Sequence, residues 1–107
     1  MRGREAFRQL LRSRRRARSG PVTVHFMPAD EAGNEVQVAY AVGRNVGTAV
    51  ARNRWRRRLR VVASELSEQV QPGRYLIGLA PDVGRLTFDE LRERVGDTMR
   101  RASGARQ

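Results

Sequence analysis

The chain has 107 residues, with 22 basic side chains against 11 acidic ones and a net charge of +11. That length supports one core of two packed layers and excludes a second domain. The charge calls for a polyanionic partner. The absence of cysteine excludes disulfides and thiolate metal sites, and no apolar run approaches the roughly 20 residues of a membrane span.

All of the basic residues are arginine. A GC-rich coding sequence accounts for that choice, but the consequence is physical. Guanidinium groups offer bidentate forks and flat faces, which suit RNA better than ammonium groups do. No apolar stretch follows the arginine-rich start, so no secretory signal is expected. Glu5 and the early core-like residues argue against a mitochondrial presequence, and a soluble cytoplasmic protein is the expectation.

Residues 5–11 read as a short amphipathic helix with Phe7, Leu10 and Leu11 on one side. A basic cluster follows, with Arg12, Arg14, Arg15, Arg16 and Arg18, until Ser19-Gly20-Pro21 breaks the chain. Residues 22–27 are rich in β-branched and aromatic side chains and predict a strand. Residues 28–34 have turn composition. Residues 35–42 alternate cleanly, as the pairing strand of a hairpin with 22–27 would.

A glycine-bounded loop, Gly43 to Gly47, then leads into a long helix at about residues 48–69. Its apolar stripe is Ala51, Trp55, Leu59, Val62 and Leu66, spaced for one helical face. Six arginines crowd the nine positions from Arg52 to Arg60 and must cover the other faces. Trp55 on that stripe reads as core, because base stacking requires an exposed ring. Gln71-Pro72-Gly73 ends the helix, 74–80 predicts another strand, and 81–85 a loop. Thr87 and Glu90 form a capping box at the start of the last helix, with Leu86 and Leu91 as its hydrophobic staple. Phe88, Leu91, Val95, Met99 and Ala102 are its expected buried stripe, and 103–107 a frayed tail. The whole is an α+β two-layer sandwich in one RNA-binding domain spanning 1–107.

A protein nuclease needs metal-binding carboxylates or a base beside a nucleophile. Most acids here read as turn residues, helix-start charges or arginine partners. His25 has no acid or nucleophile near it in sequence, and Gly43-Arg44-Asn45-Val46-Gly47 lacks the lysine of a nucleotide-binding loop. No catalytic residue is expected in the polypeptide. So many like charges on adjacent turns cost helix stability by repulsion, which phosphate binding would offset.

Gly47, Ala49-Val50, Arg52-Asn53-Arg54, Arg57 and Arg60 together closely resemble the signature of the bacterial ribonuclease P protein subunit. Arg4 to Phe7, Arg74 to Ile77 and Leu86 to Leu91 resemble its flanking elements, so the resemblance covers nearly the whole chain. It implies an α-β-β-β-α-β-α order with a left-handed βαβ crossover, an exception to the usual hand. It also implies that a catalytic RNA, using Mg²⁺, hydrolyses the 5′ leader from precursor tRNA, with no cofactor bound by the protein. Arg52, Asn53, Arg54, Arg56, Arg57, Arg60, Arg44 and Asn45 would face that RNA. Phe7, Leu11, Arg14, Arg15, Arg16, His25 and Phe26 would hold the leader. Leu11 and His25 stand where the family has aromatics, Asn45 where it has lysine, and Thr48 where it has asparagine.

The implied partners are ribonuclease P RNA and precursor tRNA, with no membrane and one copy of the chain per ribonucleoprotein. A ribosomal or RNA-chaperone protein is the alternative. Composition does not separate the two; the signature between Val42 and Arg60 favours the first.

Overall fold

The computed structural model describes residues 15–28 and 35–104. The helix expected at 5–11, with Phe7 and Leu11, lies outside the described residues, as do Arg14 and the turn residues 29–34. The elements in order are β1 (Arg16–Ser19), β2 (Val22–Pro28), β3 (Val36–Val42), α1 (Ala49–Leu66), β4 (Gly73–Leu79) and α2 (Phe88–Ala102). Single turns of 3-10 helix, Arg44–Val46 and Pro81–Arg85, precede α1 and α2 respectively.

The strands form one sheet in the order β1-β2-β4-β3. β4 runs antiparallel to β2 and parallel to β3, so β3, α1 and β4 make a crossover unit between neighbouring strands. The expected hairpin of 22–27 with 35–42 is therefore corrected: β4 lies between those strands. The reason is burial. Tyr75, Ile77 and Leu79 are buried on one face of β4 and Leu76 on the other, and a strand buried on both faces belongs inside a sheet.

The hairpin partner of β2 is β1, a strand hidden in the basic cluster. Ser19 pairs with Val22 across a Gly20-Pro21 loop, and Gly20 takes φ 59°, as the first central residue of a type II′ turn does. Ala17 turns toward the core while Arg16 and Arg18 stay exposed. Charged side chains of this kind protect an edge strand from further pairing.

Both helices pack on one face of the sheet, α2 against β1 and β2, and α1 against β3 and α2. Trp55, Leu59, Val62 and Leu66 of α1 meet Leu91, Val95 and Met99 of α2 over Val22, Val24, Phe26, Tyr75 and Ile77. Trp55 is core, as the stripe implied. The capping box of α2 is complete: Thr87 Oγ1 accepts from Glu90 N at 3.1 Å, and Glu90 Oε1 accepts from Thr87 N at 2.9 Å. Phe88 departs from its expected place. It sits at the helix start, off the sheet, under the Arg92 guanidinium at 4.8 Å. Ser103, grouped above with the frayed tail, is instead buried and accepts at its carbonyl from Arg15 Nη2. Val83, read as loop, is fully buried because the 3-10 turn folds it inward.

Candidate functional site

The first surface is the N-terminal half of α1 with the loop before it. That loop closes as one 3-10 turn: Val46 N donates to Gly43 O and Gly47 N to Arg44 O. It leaves Arg44 and Asn45 exposed beside the helix start. Thr48 caps the helix by accepting from Ala51 N at 3.2 Å. No acid lies in the first turn, so arginines crowd the positive end of the helix dipole. The arrangement is unfavourable for an isolated helix and favourable for one that meets phosphates.

The arginines divide by their contacts. Arg54, Arg57 and Arg60 are exposed, as is Asn53. Arg56 is half-buried, donating to Asn53 Oδ1 at 2.9 Å and to Val42 O at 3.3 Å. It braces the helix against the end of β3 and engages the oxygen of the exposed Asn53, whose amide N–H groups remain as donors. Arg58 lies over the Trp55 ring at 4.8 Å. Arg52 is half-buried, and its Nε is sealed from solvent with no hydrogen-bond partner among the described residues. A ligand oxygen that drew this guanidinium outward would supply a bond that the free protein lacks.

The paired acids are engaged elsewhere. The three ion pairs among the described residues join Arg92 to Glu65, Arg92 to Asp89 and Arg101 to Asp97. None of them involves the segment from Arg52 to Arg60. Among the described residues no three His, Cys, Asp or Glu side chains converge as metal ligands would.

The second surface is the sheet face turned away from the helices. Strand register lays Arg16, His25, Leu76 and Ala39 side by side across it, with Arg18, Thr23, Gly78 and Ala41 in a parallel row. Met27, Arg74 and Gln37 form a third row. Arginines thus flank a floor of small and apolar side chains. Partial burial, with the nearby Arg16 charge adding to it, lowers the His25 pKa below its ordinary 6.5 and so favours the neutral imidazole.

This geometry brings Arg16 and His25 together as expected and removes two other residues from the same face. Phe26 points into the core, fully buried, with its ring 4.8 Å from that of Tyr75. Arg15 lies on the helix side, its guanidinium 5.3 Å from the Phe26 ring centroid and bonded to Ser103 O. Alternation along each strand decides both cases, since neighbours face opposite sides. The same alternation, counted from His25, adds Thr23 and Met27, and pairing with β4 adds Arg74; sequence reading missed all three.

The family model for ribonuclease P matches residues 1–103. The chain belongs to the ribonuclease P protein family. A ribonuclease P protein component from Symbiobacterium thermophilum is 33% identical over 103 residues, covering 95% of this chain and 89% of the relative. One from Acidothermus cellulolyticus is 37% identical over 86 residues, covering 79% and 72%. The solved RNase P protein from Thermotoga maritima superposes with a TM-score of 0.83 at 18% identity, covering 94% of each chain. That from Staphylococcus aureus gives 0.82 at 11%, covering 94% and 91%. At these identities the structural matches establish the fold. As a ribonuclease P protein, the chain is a subunit of an endoribonuclease complex and a partner of ribonuclease P RNA.

Proposed function

We propose that α1 and the 44–45 loop dock on the catalytic RNA while the sheet face turned away from the helices holds the 5′ leader of precursor tRNA. The observation that carries this reading is the arginine surface of α1, which no ion pair among the described residues neutralises. Arg44, Arg52, Arg54, Arg57 and Arg60 supply the charge, Asn45 and the Asn53 amide supply directional donors, and Arg56 is a positioning residue. Charge-assisted bonds of guanidinium to phosphate are the strongest this surface can make.

On the sheet face, Arg16, Arg18 and Arg74 take leader phosphates while bases lie over His25, Thr23 and Met27. The His25 imidazole gives a flat surface on which a base can lie. Phe7, Leu11 and Arg14 join this site by the family resemblance. An unpaired strand suits the face, because an apolar floor with basic edges needs bases free of their complement. The chemistry is assigned to the RNA subunit and its Mg²⁺, and the protein binds, positions and neutralises. It acts in the cytoplasm as a single copy within the ribonucleoprotein.

Reconstitution tests the proposal. RNA-free recombinant protein is added to a bacterial ribonuclease P RNA at a Mg²⁺ concentration too low for the RNA alone. Restored removal of the precursor leader supports it. Cleavage by the protein without RNA, or no restoration, overturns it.

A further inference from the structure

Burial accounts for the large apolar side chains of α1 with two exceptions. Among the described residues, the exposed large hydrophobic side chains are Val50 at 68%, Val61 at 50% and Phe88 at 36%. Phe88 is roofed by Arg92. Val50 and Val61 both stand on α1, facing solvent. Neither helps the isolated helix, since β-branched residues restrict their rotamers there and rank below arginine or alanine in propensity.

Their positions are in phase. Val50, Arg54, Arg57 and Val61 follow steps of four, three and four, which draws one line along the helix. At about 1.5 Å per residue the line is roughly 16 Å long. It lies opposite the buried stripe of Trp55, Leu59, Val62 and Leu66. The two central members are exposed arginines outside all three ion pairs of the described residues. An apolar group at each end of a charged pair is a different surface from a plain basic face.

We propose that this line is a recognition ridge for folded RNA. Arg54 and Arg57 take phosphates, and the Val50 and Val61 isopropyl groups seat against ribose and base faces on either side. The shallow groove of an A-form helix, or a loop beside one, presents such faces next to phosphates. A featureless polyanion does not. The ridge thus gives α1 selectivity for a shaped RNA where arginines alone give only attraction. This inference rests on the reading of α1 as the RNA-facing helix, and its test separates the two.

Binding to a bacterial ribonuclease P RNA is measured across a salt series for the wild type, Val50→Ser/Val61→Ser and Arg54→Ala/Arg57→Ala, with heparin as the shapeless competitor ligand. The valine pair should lose at least about tenfold in RNA affinity at every salt concentration. Its salt slope should match the wild type, because apolar contacts release no counterions. Its heparin affinity should be unchanged. The arginine pair should weaken for both ligands and flatten the slope by about two units. If only the arginine pair loses RNA affinity, or if the valine pair loses heparin affinity equally, the ridge is refuted and the docking helix stands. If neither pair changes RNA binding, the reading of α1 itself fails. Should the serine variant melt early, Val50→Thr/Val61→Thr keeps the β-branched shape and carries the same prediction.

Discussion

Replacing Gly47 by alanine tests whether the loop geometry holds the basic helix in place. Gly47 has φ 150° and ψ −163°, a region that is essentially glycine-only and costs other residues about 1–3 kcal/mol. An added Cβ would also stand 3.1 Å from Ala51 Cβ, inside ordinary contact distance. Ala51 is in the first turn of α1, where its N–H is held by Thr48 Oγ1, so it cannot retreat freely. Together the two effects predict a loss of about 2–3 kcal/mol in unfolding free energy. Urea denaturation followed by circular dichroism measures it. Gly47→Ala/Ala51→Gly should relieve the contact while keeping the backbone strain, so the double variant should lose less than the sum of the singles. A loss below about 0.5 kcal/mol for Gly47→Ala would refute the strain argument. Strict additivity would refute the contact.

Two further outcomes follow from particular residues. The His25 imidazole should titrate below 6.5 by NMR in the free protein, and phosphates bound on the sheet face should move its midpoint upward. Because its folded pKa is depressed, its share of stability is present above about 6.5 and is lost as pH falls through the folded value; a free-protein midpoint at or above 6.5 contradicts this. Thr87→Ala should remove the acceptor for Glu90 N and cost about 1 kcal/mol of stability, with RNA affinity unchanged. A drop in RNA affinity would mean that α2 takes part in binding.

What the sequence made legible was local. The stripe through Trp55, Leu59, Val62 and Leu66 and the capping box of Thr87 and Glu90 are set by residues within a few turns of one another, and both appear in the structure as read. Strand order is a long-range choice, so nothing within 22–42 revealed that β4 would separate β2 from β3. A signal did exist in the apolar run Tyr75-Leu76-Ile77, which has no polar face to offer solvent. Phe26 was also legible: it shares the parity of Val22 and Val24, so it had to face the core with them and away from His25. Arg56 was not, since its bond to Val42 O depends on how the crossover seats α1 over β3.

The proposed grip of α1 on ribonuclease P RNA runs through arginines that no ion pair among the described residues engages. The direct measurement is the salt dependence of that affinity for the wild type and Arg52→Ala/Arg57→Ala. Loss of up to two phosphate contacts should weaken binding and lower the logarithmic salt slope by up to about two units, near 0.9 for each contact. Unchanged affinity with an unchanged slope would contradict the claim and place the RNA on another face of the protein.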